Sequence, residues 1–187
     1  MPFLTEQQIR EYRPSFGRGF KNILNEERAA EVTVFLSHSH HDRPLVEGLI
    51  ALLDSLGVKI YVDWNDTAMP RVTNRETAEK IKEQIKRKML FMILATERAL
   101  NSKWVPWEVG IGDQVKGEEF ILLIPVADPS GMFSGNEYLQ LYNHLTFERP
   151  GLDVMRSRFR ILSREEQDTG SFSEFLRDIK RKRHLFS

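Results

Sequence analysis

Val32-Thr33-Val34-Phe35-Leu36-Ser37-His38-Ser39-His40-His41-Asp42 joins a run of β-branched and aromatic residues to an abrupt polar cluster. The run does not alternate, so it reads as a strand buried on both faces. The polar cluster reads as the loop at its carboxyl end. Working outward, Leu45 to Leu56 places leucines, valine and isoleucine at helical spacing and stops at Gly57, a residue suited to the position just past a helix. Val58 to Val62 is a second strand, followed by Asp63-Trp64-Asn65-Asp66 and a longer loop through Met69-Pro70. Asn74 to Lys88 predicts a helix, charged on one face and carrying Ala78, Ile81 and Ile85 on the other. Leu90 to Leu94 is a third strand and Phe120 to Ile124 a fourth, closed by Pro125. Apolar strands alternating with amphipathic helices predict an α/β fold, an open doubly wound parallel sheet covered on both faces.

The flanks carry weaker signals. Glu6 to Tyr12 predicts a short helix, Pro14, Gly17 and Gly19 interrupt it, and Phe20 to Ala30 predicts a second. Beyond Pro125, Asp128-Pro129-Ser130-Gly131 is a turn, Tyr138 to Tyr142 a short helix, and His144 to Phe147 a short edge strand. Phe172 to Arg183 predicts a final amphipathic helix with Phe172, Phe175, Leu176 and Ile179 inward; its Lys180-Arg181-Lys182-Arg183 run suits a helix C-terminus. The organisation expected is one domain over residues 31–150, with an N-terminal extension at 1–30 and a C-terminal segment at 151–187 whose helix packs on the domain.

Composition narrows the function. With 27 basic and 27 acidic side chains among 187 residues, the chain lacks the basic field that general nucleic-acid binding requires. The absence of cysteine excludes disulfides, thiolate metal sites and a cysteine nucleophile, and fits a reducing compartment. There is no apolar run of bilayer length and no signal-peptide core at the N-terminus, so the expected location is cytoplasmic, with no membrane partner.

In open sheets of this kind ligands bind beyond the carboxyl ends of the strands. Three polar clusters fall there: Ser37 to Asp42, Asp63 to Asp66, and Ser102-Lys103-Trp104-Val105-Pro106-Trp107-Glu108. Trp104 and Glu108 are four residues apart, which stacks them on one helical face. Asn101 or Ser102 is suited to start that helix, and Pro106 is tolerable only in its first turn. A carboxylate beside a flat ring can grip a sugar and a base.

Two rival readings of the polar loops are set aside. His38-x-His40-His41-Asp42 invites a metal, but adjacent histidines in one loop seldom supply a full coordination sphere, and the remaining histidines are His144 and His184. No metal is expected. A phosphoacceptor role for Asp63 would call for acidic residues after the first strand, where the chain has Ser37-His38.

With these pieces in order, the chain resembles the TIR (Toll/interleukin-1 receptor) domain family. The resemblance lies in Val34-Phe35-Leu36-Ser37-His38-Ser39, Gly57-Val58-Lys59-Ile60-Tyr61-Val62-Asp63, and Ser102-Lys103-Trp104 to Glu108, and it covers roughly residues 31 to 126. It is closer to bacterial, Thoeris-like members than to animal receptor adaptors. The resemblance implies a flavodoxin-like TIR fold and cleavage of NAD+ as substrate, with no cofactor, to nicotinamide plus ADP-ribose or a cyclic isomer. It implies Glu108 as the catalytic group, Trp104 as the substrate platform, and His38, Ser39 and His40 near the phosphates and ribose. The chain departs from members that place arginines in this loop. Asp63 suits either a ribose contact or a turn-forming role. Residues 64–73 correspond to the family's BB loop, which implies self-assembly with other TIR subunits. Short flanks imply a product that signals to a separate effector protein, in antiviral defence. The alternative is a non-catalytic adaptor that acts by TIR–TIR assembly.

Overall fold

The computed structural model describes residues 3–11, 32–65, 74–147 and 159–185. The expected helix at Phe20 to Ala30, and residues 66–73 of the BB loop, lie outside them. In chain order the elements are β1 (Leu4–Thr5), α1 (Glu6–Arg10), β2 (Val32–Ser37), α2 (Arg43–Ser55), β3 (Val58–Tyr61), α3 (Arg75–Arg87), β4 (Leu90–Ala95), α4 (Glu97–Leu100), α5 (Trp104–Lys116), β5 (Ile121–Ala127), β6 (Asn143–Phe147), β7 (Phe159–Leu162), β8 (Asp168–Ser171) and α6 (Phe172–Leu185). The main path of the sheet runs β3-β2-β4-β5-β6-β7-β8, with β1 paired to β5. Pairs among β2 to β6 are parallel; β6–β7 and β7–β8 are antiparallel.

The doubly wound expectation is met, and side-chain parity shows why. Val34, Leu36, Met92, Leu94, Leu122 and Ile124 face one layer, formed with Ile9 of α1, the leucines of α2, and Phe172, Leu176 and Ile179 of α6. Phe35, Phe91, Ile93, Ile121 and Leu123 face the other, formed with Ile81 and Ile85 of α3 and Val105 and Val109 of α5. Successive residues of each strand thus enter opposite cores, which is why the strands are apolar without alternation.

Four expectations change. First, β5 continues through Pro125 to Ala127, and β1 pairs there, Leu4 with Val126 and Thr5 with Ala127. Proline removes one donor but its backbone is compatible with an extended strand. Second, His144 to Phe147 is not an edge: β6 lies between β5 and β7. Third, β7 and β8 extend the sheet. Asp168-Thr169-Gly170-Ser171 has no apolar pattern to announce a strand, and its partly exposed register gives it none. Fourth, α4 is an unexpected four-residue helix whose start is capped by Thr96 Oγ1, accepting from the Ala99 N–H at 3.0 Å.

Two close approaches set the helix positions. A Cβ on Gly48 of α2 would lie 2.2 Å from the Ile9 carbonyl oxygen, so α1 docks directly on α2. A Cβ on Gly112 of α5 would meet the Phe91 ring at 3.2 Å, so α5 rides close on β4. No helix among the described residues is long and apolar enough to cross a membrane.

Candidate active site

The sheet order reverses at β2, with β3 on one side and β4 on the other. Such a switch point opens a crevice at the carboxyl ends of the strands, and the site is built there. Ser37 ends β2 and is fully buried. Its hydroxyl donates to Glu108 Oε2 at 2.5 Å. Glu108 lies in α5 and is only 8% exposed. Burial is the largest cause of a carboxyl pKa raised to about 8; the Ser37 bond opposes the shift and the nearby Asp63 charge adds to it. A buried carboxyl at a sheet switch point, poised near neutrality, is a mark of chemistry.

The sequence set Trp104 beside Glu108, and α5 holds both. Trp104 is its first residue and is half-buried, with the Trp107 ring edge-on at 5.2 Å. Ser102 Oγ accepts from the Trp104 and Val105 N–H groups, at 3.1 and 3.5 Å, and so supports the helix start. Asn101, the other residue suited to that place, instead donates from Nδ2 to the Glu97 carbonyl of α4. Pro106 is the third residue of α5, inside its first turn.

His38 follows Ser37 directly beyond the end of β2 and is 9% exposed. Its Nδ1 lies 2.9 Å from the Leu36 carbonyl oxygen. A carbonyl only accepts, so Nδ1 carries the proton and Nε2 presents a lone pair. Nε2 is buried without a hydrogen-bond partner among the described residues; Asp63 Oδ1 is 4.0 Å away. Burial holds the imidazole below its ordinary pKa, although the Leu36 bond and the Asp63 charge pull the other way. The Trp64 ring stands edge-on to His38 at 4.6 Å. Asp63 accepts the Trp64 N–H at 2.9 Å, so it shapes the turn as well as charging the site. His40 is exposed, its ring 6.2 Å from that of His38. The ligand atoms of His38, His40 and Asp63 all lie within 4.8 Å of one another.

Ser39 is placed differently. It caps a short turn over His40–Asp42 by accepting the His41 N–H, and it faces a separate cleft of about 540 Å³. Ser39, His40, His41, Glu97, Arg98, Asn101 and Ser102 line that cleft; Trp104 and Glu108 do not. Asp42 bonds to groups other than the histidines. It is fully buried, accepting from Thr96 Oγ1 and from Arg98 at 3.0 Å. This pair ties the loop after β2 to the loop after β4. Sequence reasoning missed Ser37 as a site residue and Arg98 as a cleft residue. Thr96, three residues before Ala99, was the signal for α4 and hence for Arg98.

The sequence matches the TIR domain family over residues 34–153. This chain belongs to the TIR domain family. The matched span of the TIR domain includes Ser37, His38, Ser39, His40, Asp63, Arg98, Trp104 and Glu108. A protein of Bacillus cereus (strain MSX-D12), named provisionally as a 3′ cyclic ADP-D-ribose synthase, is 31% identical over 141 residues, covering 72% of this chain and 73% of the relative. A Cytobacillus dafuensis protein, named provisionally as a cyclic ADP-D-ribose synthase, is 25% identical over 109 residues, covering 50% of this chain and 29% of the relative.

Proposed function

We propose that this TIR domain cleaves NAD+ at the nicotinamide–ribose bond and closes the remainder into a cyclic ADP-ribose, with ADP-ribose as the hydrolytic side product. The observation that carries the reading is the buried Glu108 carboxyl held by Ser37 at the switch point of the sheet. The names of the relatives supply the cyclic product.

The chemistry follows from charge. As the C–N bond breaks, its electron pair leaves with nicotinamide, which departs neutral and needs no general acid. The ribose is left with oxocarbenium character, as in glycoside hydrolysis. An ionised Glu108 within about 4 Å of that cation, at an effective dielectric near 20, attracts it by roughly 4 kcal/mol, and the part of this not already made to the nicotinamide cation lowers the barrier. Burial makes the carboxylate costly in the free site. The cationic nicotinamide–ribose offsets that cost on binding, and catalysis gains as the positive charge moves from the ring onto the ribose. Capture of the sugar by an internal hydroxyl or adenine nitrogen forms the ring; capture by water gives ADP-ribose. Either route releases a proton, and Glu108, ionised in the complex with the cationic substrate, is the acceptor. Trp104 offers a ring face to the substrate. His38 Nε2, with its lone pair, accepts a ribose hydroxyl, and Asp63 holds the turn beside it. Ser39 and His40 border the phosphates, where Arg98 in the adjoining cleft supplies the guanidinium that the first loop lacks.

The family resemblance adds the setting: a cytoplasmic enzyme of antiviral defence, assembled through residues 64–73, whose product activates a separate effector. The test incubates the protein and Glu108→Ala with NAD+ across a range of protein concentrations, separating products by chromatography and mass. Nicotinamide release by the wild type alone, rising in specific rate with concentration, is expected. The companion product should lack one water relative to ADP-ribose. No release at any concentration, with assembly verified by light scattering, would point instead to an adaptor.

A further inference from the structure

We infer that His38, His40 and Asp63 form a binding site for a divalent transition-metal ion of the zinc class beyond the carboxyl ends of β2 and β3. Three observations carry it. The first is the juxtaposition: two imidazoles from the loop after β2 and a carboxylate from the turn after β3 bring their ligand atoms within 4.8 Å of one another. The objection to a metal in the sequence was that one loop cannot surround an ion. The fold answers it by replacing Asp42, which is spent on Thr96 and Arg98, with Asp63 from another loop.

The second is the state of His38. Its Nδ1 donates to the Leu36 carbonyl, and its Nε2 is buried and lacks a partner among the described residues. A histidine ligand is commonly oriented in this way, one ring nitrogen tied to a backbone carbonyl and the other aimed at the metal. A buried nitrogen lone pair left without a donor costs free energy, and coordination would recover it.

The third is geometry and donor type. Bonds of about 2.0–2.1 Å in a tetrahedral site put neighbouring ligand atoms about 3.4 Å apart. His38 Nε2 and Asp63 Oδ1, at 4.0 Å, are already near that spacing. His40 is exposed, so its side chain can swing to close the remainder. Two imidazoles and one carboxylate suit zinc, cobalt or nickel rather than magnesium or calcium, and three protein ligands leave a position open. Asp63 acts on the Glu108 carboxyl and His38 Nε2 is the lone pair assigned above to a ribose hydroxyl, so an ion held here competes with the cationic substrate for the same groups; that consequence alone rests on the NAD+ reading.

The test needs no substrate. Chelator-treated protein is titrated with zinc by calorimetry, and with cobalt by visible absorption. One ion per chain, with the intense visible bands of tetrahedral cobalt, is expected. His40→Ala and Asp63→Asn should each weaken binding at least tenfold, while His41→Ala, in the same loop but outside the triad, should bind as the wild type does. Thermal melts of each variant verify folding. Absence of a one-to-one isotherm, or binding unchanged in both His40→Ala and Asp63→Asn, would overturn the assignment. Either result is independent of whether the protein cleaves NAD+.

Discussion

Glu108 holds opposite demands in one side chain: it must be buried to act strongly and ionised to act at all. The linkage to stability has a definite sign. The unfolded chain releases this proton near the ordinary value of 4.5, whereas the folded protein keeps it to about 8. Below pH 4.5 both states are protonated and the carboxyl's contribution to stability is fully present. Between pH 4.5 and 8 the folded state holds the extra proton, so stability falls as pH rises, and the loss is complete above about 8. Glu108→Gln keeps an acceptor for Ser37 but does not titrate. Its melting temperature should match the wild type near pH 4 and exceed it by about 10 °C at pH 8.5, read by calorimetric scans across pH. Ser37 acts in the opposite direction. Its hydrogen bond pulls the Glu108 pKa down, so Ser37→Ala should push the rising limb of kcat/KM to more alkaline pH. The pH profile of nicotinamide release measures that shift, and an unmoved limb would show that Ser37 is only packing.

At the scale of the element, α5 carries the site, and its position on β4 is set by a glycine. Phe91 is fully buried and cannot yield to a methyl group at 3.2 Å. Gly112→Ala should therefore cost about 1–2 kcal/mol and move Glu108 away from Ser37, lowering kcat with it. Gly110, in the same helix, has open space where a Cβ would go. Gly110→Ala should stabilise by about 0.5–1 kcal/mol. Urea midpoints of the two variants should move in opposite directions. The helix itself was legible in Trp104, Pro106 and Glu108, because the pattern is local. Its predecessor α4 was not, because four residues give no periodicity and the helix is held by Thr96 and by Asp42, 54 residues earlier.

For the whole molecule, the N-terminal stretch behaves as part of the fold. Leu4 and Ile9 are buried, β1 lengthens the pairing of β5, and Glu6 joins Arg98 to the network around Asp42. The chain start thus braces the loops after β2 and β4, which border the site. Gly48→Ala would drive a methyl group into the Ile9 backbone carbonyl at 2.2 Å. A backbone group cannot rotate aside, so α1 must lift from α2. The expected loss is about 2–3 kcal/mol, seen as a melting temperature lower by about 5–10 °C. An unchanged melt would show that α1 is not docked in solution.

The sequence by itself determined the alternation of strands and helices, the two-faced burial of the sheet, and the helix that carries Trp104 and Glu108. These depend on periodicity and on residues close together in the chain, where sterics and hydrophobic patterning act directly. Only the tertiary structure decided the partners. Ser37 and Glu108 are separated by 71 positions and Asp42 and Thr96 by 54. The carboxylate brought within 4.8 Å of the ring nitrogens of His38 and His40 is that of Asp63, from the turn after β3. Pairings of this kind arise from strand order and crossover, and no local pattern encodes which loop will meet which across the end of a sheet.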